Sequence, residues 1–442
     1  MQDMHDRTLI LECKNKIGEQ VTICGYVQVR RDHGKILFLD VLDRSGLIQV
    51  VLGGGKGADL RPQDVVKISG QVNKRPENLV NKNIPTGEIE IYSEDVEVLS
   101  KAEELPFDMG MKDLNLQLPT LLDFRGLTLR HPKVKAIFKV QEVVIDGFRE
   151  ALKKHGFTEF QAPVIIPQTA EGGAEVFEVK YFDHKAFLAQ SPQFYKQIMV
   201  GVFERVFTVN KTLRAEPSVT TRHLAEVTTL DAEFGFIESW QDLMDEAEYV
   251  MRYIFERLDR ECMDELMLYG VSTPKISKPI PKIKMRDAQE LIFERTGVDH
   301  RNEPDLSPED EKEIYKWVME KHNSELVFVT HYPTKKRPFY TFPDPDGPEY
   351  TLSFDLIGKG VEWLTGGQRI NDLNHLIKNA NERGIDLERS ELYLQAFKYG
   401  MPPEGGWSFG SERITQGILG LSNVREASLF PRDMERVDVR LR

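Results

Sequence analysis

Five short stretches of this 442-residue chain gather residue types suited to chemistry on phosphates and carboxylates. The run Leu213-Arg-Ala-Glu-Pro-Ser-Val-Thr-Thr-Arg-His-Leu follows a strand-like segment and brings Arg214, Arg222 and His223 close together. A guanidinium is a planar fork of donors that matches carboxylate and phosphate oxygens. A strand–loop–strand carrying these groups would clamp a triphosphate; the same pattern also describes an exposed hairpin with surface ion pairs. Asp355 and Glu362 sit on adjacent strand-like runs, each between apolar neighbours. Two carboxylates converging on a cleft suit Mg²⁺, a hard cation that keeps waters and bridges phosphates, whereas edge-strand carboxylates would simply face water. Gly366-Gly-Gln-Arg sets Arg369 behind a glycine pair, where backbone can approach a ligand; a turn with a surface arginine is the plainer account. Gly405-Gly-Trp-Ser-Phe-Gly-Ser-Glu-Arg leads into a helix expected over 414–421 and offers an anion seat at its start, with Arg413 beside it. Ordinary glycine packing would look the same. Gln190-Ser-Pro-Gln-Phe-Tyr-Lys-Gln precedes an apolar helical run and supplies Lys196, a compact cation able to fix a carboxylate, or an unremarkable helix start.

These groups need a scaffold. In the first hundred residues, strand-like runs begin at Val21, Ile36, Leu47, Val65 and Glu88, separated by turns at Asp32-His-Gly, Asp43-Arg-Ser-Gly and Gly53-Gly-Gly. Five short strands with turn signals predict a small barrel or sandwich, with the five-stranded oligonucleotide-binding barrel one candidate. A polar connector with Pro106, Gly110, Pro119 and Gly126 follows. Ile137, Val140, Val144, Phe148 and Leu152 then recur at helical spacing, between Pro132 and Gly156. Farther on, Phe203–Val209 reads as a strand, Leu243–Leu258 as a helix, and Ser353–Leu356 and Val361–Leu364 as neighbouring strands. Residues 271–325 read as an inserted helical segment. No steady βαβ rhythm is present, so the expectation is an α+β protein: an N-terminal barrel (1–103), a hinge or linker (104–130), and an antiparallel sheet flanked by helices (131–442).

Composition sets limits. No stretch reaches the roughly 18 apolar residues of a membrane span, and the start, Met1-Gln-Asp-Met-His-Asp-Arg, predicts no signal peptide. Three widely spaced cysteines give neither a disulfide framework nor a zinc pattern, as expected of a cytoplasmic protein. The net charge of −13 argues against an extended basic surface, though not against a local one. Arg30, Arg31, Lys35 and Arg44 form one basic cluster and Lys335, Lys336 and Arg337 another; solvated surface charge is the simpler account of both.

Taken in order, the stretches resemble the motifs of class II aminoacyl-tRNA synthetases. Gly156-Phe-Thr-Glu-Phe-Gln-Ala-Pro is similar to motif 1, Arg214-Ala-Glu with Arg222-His-Leu to motif 2, and Gly410-Ser-Glu-Arg with Asn423-Val-Arg-Glu-Ala-Ser-Leu-Phe-Pro-Arg-Asp to motif 3. The Phe-Pro-Arg-Asp ending resembles the aspartyl and asparaginyl branch, and the likeness covers essentially the whole chain. Lys196 resembles the lysine of aspartyl enzymes, where an asparaginyl enzyme usually has none. Arg337-Pro-Phe-Tyr and Lys398-Tyr-Gly-Met-Pro-Pro resemble the short archaeal and eukaryotic type.

The resemblance implies activation of L-aspartate by ATP with Mg²⁺, and charging of tRNA(Asp); it leaves open whether tRNA(Asn) is charged too. It implies catalytic roles for Arg214, Glu216 and Arg413. Glu171, Gln193, Lys196, Arg214, Asp231, Thr365 and Arg369 would bind aspartate, with Glu171 on a mobile loop. Arg214, Glu216, Arg222, His223, Leu224, Glu362, Gly410 and Arg413 would bind ATP, and Asp355, Glu362 and Thr365 the metal. A homodimer through motif 1 is implied as well. In the barrel, Phe38 would stack on an anticodon base, with Gln49 and Glu90 hydrogen-bonding bases; from its surroundings alone, Phe38 reads as a core residue. Several positions depart from the family's pattern. Val227 stands where an aromatic is frequent, Glu404 where histidine is, and Ser408 and Ser411 where glycine, alanine or leucine is common; Thr365 replaces a serine but keeps the hydroxyl. An asparaginyl enzyme would be expected to lack Lys196. A non-catalytic RNA-binding relative would be expected to have lost some of Arg214, Glu362, Arg369 and Arg413.

Overall fold

Alternating burial builds the first unit, residues 1–116. The computed structural model describes residues 7–34, 36–53, 57–168, 176–217, 220–385, 387 and 390–441. Strands β1 (Gln20–Asp32), β2 (Ile36–Leu42), β3 (Leu47–Gly53), β4 (Val65–Lys74) and β5 (Ile89–Ser93) pair in the order β1-β2-β3-β5-β4, and β4 returns to β1. The ring is closed, so no edge of these five strands is left for a stray chain. Every second side chain points inward: Val21, Ile23 and Val27 on β1, and Leu37, Leu39 and Val41 on β2, form a dry core with Val50, Ile68 and Ile91. The expected oligonucleotide-binding barrel is present. A sixth strand, β6 (Glu97–Ser100), also pairs with β4; its few alternating residues do not stand out in the sequence. Lys35 and part of the Gly53-Gly-Gly turn lie outside the described residues.

The second unit spans 117–442. Within the stretch expected as a linker, Leu118–Asp123 and Arg125–Thr128 are short helices, and buried Arg125 donates to the carbonyls of Glu426 (3.0 Å) and Leu429 (2.9 Å). Helix α1 (Pro132–Lys154) starts at His131, whose ring accepts from the Lys133 amide. Pro132 fits there because a first-turn N–H has no partner to lose. Gly156, at φ +78°, turns the chain past the helix end. The predicted apolar face of α1 is buried against α3 (Gln241–Glu261) and the sheet. Phe148 lies edge-on to Phe207, Trp407 and Phe409 at 5.5–6.0 Å, a favourable aromatic arrangement.

The sheet has eight strands in the order β10-β11-β12-β13-β14-β9-β8-β7. They are β7 (Thr158–Glu159), β8 (Arg205–Leu213), β9 (Glu226–Gly235), β10 (Lys282–Lys284), β11 (Leu326–Thr330), β12 (Ser353–Gly358), β13 (Val361–Gln368) and β14 (Glu404–Gly410). The strands from β11 through β8 run antiparallel to their neighbours; β7 and β10 join parallel at the two ends. The structure corrects four local expectations. Phe203 ends helix α2 (Gln193–Phe203), and the strand starts at Arg205. The inserted segment carries α4 (Met285–Thr296) and α5 (Pro308–His322), and it also lends β10 to the sheet. The glycine-rich run 405–410 is strand rather than a loop before a helix, and α7 (Ser411–Leu419) begins directly after it. The pair Gly366-Gly367 likewise lies inside β13, not in a turn. Glycine is needed at position 406 for closeness: a Cβ there would lie 2.1 Å from the Ala232 carbonyl oxygen and from a Glu233 carboxylate oxygen. Helix α6 (Glu391–Lys398) packs on α2.

Candidate active site

The loop from β8 to β9 is pinned from the far end of the chain. The Ala225 amide donates to the Arg432 carbonyl (2.7 Å), and the Val424 amide to the Thr221 carbonyl (2.9 Å). The Phe-Pro-Arg-Asp ending therefore acts as a brace for Arg214, Arg222 and His223. A cleft opens here. Arg214, Glu216, Arg222, His223, Leu224, Glu362, Gly410 and Arg413 all line it, together with Val227, Thr229, Ser408 and Glu412. These eight residues come from β8–β9, β13 and the β14–α7 junction, so the fold collects them from stretches far apart in sequence.

Cations in the cleft face carboxylates. Arg413 lies 3.3 Å from Glu362, Arg214 3.6 Å from Glu216, and the His223 ring 3.3 Å from Glu216. Arg222 pairs at 2.6 Å with Glu311 of the inserted helix α5, a partner that no motif announces. Burial and the nearby Glu362 push the Glu311 carboxyl up to about 7 against the pull of Arg222 and Arg413. Burial and the charge of Asp355 also raise the Glu362 carboxyl, opposed by Arg413, Arg337 and Arg214.

Asp355 is 4% exposed and belongs to an interior strand, so it is not a water-facing edge carboxylate. Register pairs it with Thr365, and Trp363 is the extra residue of a bulge that lets Glu362 oppose Ile357. Arg337, expected as surface charge, turns inward instead. It lies 2.7 Å from Asp355, donates to Thr365 Oγ1 at 3.1 Å, and stacks 3.9 Å from the Tyr332 ring. Asp355 and Thr365 are not among the residues lining this cleft; Arg337 and Glu362 connect them to it.

A second cluster lies on the same sheet face. Lys196, on the first turn of α2, is 2% exposed, and its ammonium is 3.1 Å from both Asp231 and Glu233. Arg369 donates to Glu233 at 2.8 Å and to the Gly406 carbonyl at 3.1 Å; Gln193 donates to Glu233 at 3.2 Å. Glu233 is thus the hub. Burial alone would raise its carboxyl, but Arg369 and Lys196 more than reverse this and hold it at about 2. Glu233 is absent from the sequence-derived set, although period two puts it on the Asp231 face of a largely buried strand. Because both cations already have carboxylate partners, a neutral ligand would not leave them wholly unpaired. Glu171 lies outside the described residues.

The two clusters share strands. Thr229 and Ser408 line the cleft, Asp231 pairs with Ser408, and Glu233 pairs with Gly406. Positions 229, 231 and 233 share a face, so each step between the two sites is about 7 Å.

On the barrel, Phe38 projects from the outer face and is half-buried, since the interior belongs to Leu37 and Leu39. Gln49 donates to Glu90 at 2.7 Å and accepts from Arg31 at 3.2 Å, while Arg31 grips Asp40 through two bonds of 2.8 Å. An aromatic ring and an amide are therefore grouped on one outer face, with the buried Glu90 carboxylate bonded to the amide.

Comparison with known proteins follows the same division. The family described as class II tRNA synthetases (D, K and N) matches residues 117–434, and the OB-fold nucleic acid binding domain matches residues 21–99. The aspartate–tRNA(Asp/Asn) ligase of Thermus thermophilus is 41% identical, covering 98% of this chain and 99% of its own length. The aspartate–tRNA(Asp) ligase of Pyrococcus abyssi is 38% identical, covering 95% and 96%. The crystal structure of asparaginyl-tRNA synthetase from Pyrococcus horikoshii complexed with asparaginyl-adenylate superimposes with a TM-score of 0.87 at 29% identity, covering 98% of this chain and all of that one. Among the described residues, no helix is long and apolar enough to cross a membrane. The chain belongs to the class II aminoacyl-tRNA synthetases of the D, K and N group, and within it to the aspartate–tRNA ligase family.

Proposed function

We propose that this protein condenses L-aspartate with ATP to aspartyl-adenylate and transfers the aspartyl group to the 3′ end of tRNA(Asp), with tRNA(Asn) as a second acceptor. The observation that carries the reading is the pair of buried cations, Lys196 and Arg369, one strand step from an arginine-lined cleft. Arg214 holds the α-phosphate and the attacking α-carboxylate of aspartate. Arg413 takes the terminal phosphates and one face of the adenine; Arg222, Glu216 and His223 keep the nucleotide bent, beside the backbone of Leu224 and Gly410. A carboxylate oxygen of aspartate attacks the α-phosphorus, and pyrophosphate departs. The 3′-hydroxyl of the tRNA then attacks the aspartyl carbonyl and AMP leaves. Positioning and charge stabilisation suffice for such transfers.

The substrate's side-chain carboxylate meets the remaining donors of Lys196 and Arg369, with Gln193 at their side, while Asp231 and Glu171 take its ammonium. A divalent cation fits Asp355 and Glu362: both are hard oxygen donors, and the charge of Asp355 raises the carboxyl of its neighbour. Two carboxylates and the Thr365 hydroxyl leave positions for water and phosphate, as Mg²⁺ prefers. When bound, the ion would neutralise phosphate charge. Phe38, Gln49 and Glu90 read the anticodon, and a second copy of the chain pairs through residues 156–163.

Lys196→Leu decides the assignment. Aspartate-dependent ATP–pyrophosphate exchange should fall at least a hundredfold in kcat/KM, while KM for ATP moves less than threefold. Undiminished aspartate activation by that variant would overturn the role of Lys196. Exchange supported by asparagine rather than aspartate would overturn the substrate, and charging of purified tRNA(Asp) and tRNA(Asn) transcripts at matched salt settles the acceptors.

A further inference from the structure

The polar cluster beneath the aspartate pocket holds more acceptor oxygen than its donors satisfy. Glu404, the first residue of β14, is fully buried. Its Oε1 accepts from Gln197 Nε2 at 2.6 Å, and Gln197 Oε1 accepts from the Tyr393 hydroxyl at 3.0 Å. Its Oε2 has no hydrogen-bond partner. Strand register pairs Gly235 with Glu404 and Glu233 with Gly406, which makes the two acids diagonal neighbours. Gly406 supplies no side chain to separate them, since a Cβ there would collide with the Glu233 carboxylate. Glu233 Oε2 is also buried without a hydrogen bond; the Lys196 ammonium lies 3.1 Å away but off the bonding direction. Two ionised carboxylates would leave both oxygens orphaned and repelling one another. One proton resolves both.

We propose that Glu404 is a neutral carboxylic acid whose Oε2 donates to the Glu233 carboxylate, a positioning residue that aims Glu233 at Arg369 and Lys196. Four groups face it: Glu233 from β9, Arg369 beyond β13, Gln197 from α2 and Tyr393 from α6. Burial, then the charge of Glu233, drive the carboxyl well above its ordinary range, against Arg369 and the Gln197 hydrogen bond. With the proton in place, Lys196 and Arg369 balance Asp231 and Glu233. Without it, the pocket floor carries one excess negative charge under the position where the substrate carboxylate arrives. The proton therefore sets aspartate affinity, a consequence that rests on Lys196 and Arg369 reading that carboxylate.

Two measurements on the full-length protein separate the proton from the pocket. Chemical unfolding followed by tryptophan fluorescence compares the native protein with Glu404→Gln from pH 5 to 7. An acid held neutral in the fold but free to ionise near pH 4.5 when unfolded loses stability as pH rises. The ratio of unfolding constants, native over variant, should therefore grow about tenfold per pH unit; a constant ratio overturns the proposal whatever the kinetics show. The second measurement is pyrophosphate exchange. Glu404→Ala should raise KM for aspartate about tenfold with KM for ATP shifted less than twofold, and Glu404→Gln, which accepts from Gln197 and donates to Glu233, should restore it to within threefold of native. A growing ratio with no change of KM in Glu404→Ala would keep the proton and overturn the positioning role, leaving Lys196→Leu to judge the pocket itself.

Discussion

Glu233→Gln removes one charge from the hub without changing its shape. In the folded protein that carboxyl titrates at about 2 rather than its ordinary 4.5. A depressed acid contributes stability that is present above the unfolded value and lost as pH falls through the folded one. The difference of about 2.5 units corresponds to roughly 3 kcal/mol at pH 7, at 1.36 kcal/mol per unit. The same linkage leaves less than half of that at pH 3 and little at pH 2. The figure at pH 7 is an upper one, because Glu404 would ionise more readily beside an amide. All four tryptophans, Trp240, Trp317, Trp363 and Trp407, lie in the second unit, so their fluorescence during urea unfolding reports on that unit without interference from the barrel. The variant should be less stable by 2–3 kcal/mol at pH 7, with the gap closing on acidification. A gap below about 0.5 kcal/mol at pH 7, or one that stays constant with pH, would refute the idea that Arg369 and Lys196 stabilise an ionised Glu233.

The remaining expectations concern residues outside that hub. Phe38→Ala should raise KM for tRNA(Asp) by about 5- to 150-fold, the worth of one lost base stack at roughly 1–3 kcal/mol, and leave aspartate-dependent pyrophosphate exchange within twofold. Phe148→Ala opens a cavity where α1 meets Phe207, Trp407 and Phe409. It should destabilise the second unit by about 3–5 kcal/mol in the same fluorescence assay, without altering KM for aspartate in the folded fraction.

Much of this architecture is legible in the sequence because one physical rule dominates each legible segment. The face of α1 repeats every three to four residues, and the hairpin bearing Asp355 and Glu362 alternates or runs apolar between turns. The barrel strands obey period two, which places Leu37 and Leu39 inside and Phe38 outside. Charged residues brought into one cleft could be gathered by motif order alone. What escapes is whatever depends on register across strands. Glu233 sits in a run of buried residues, and only its pairing opposite Gly406 shows that it has room for Arg369. Glycines 405 and 406 suggest a loop by composition, yet they serve close packing inside a sheet. Glu311 reaches Arg222 from 89 residues away through the inserted helix, a contact that no local pattern encodes.

The strand step between Thr229 and Asp231 acts as a ruler. A strand cannot be lengthened by one residue without turning every following side chain to the opposite face, so the interval between the arginine-lined cleft and the Lys196–Arg369 cluster is quantised. Insertions that loops absorb easily would here move a whole row of ligands at once. On the proposed assignment, evolution of the amino-acid preference is thereby confined to side chains at fixed rungs and to helix α2 above them. A relative that accepts a shorter or neutral substrate must change what stands on a rung, since the spacing of the rungs is set by backbone geometry.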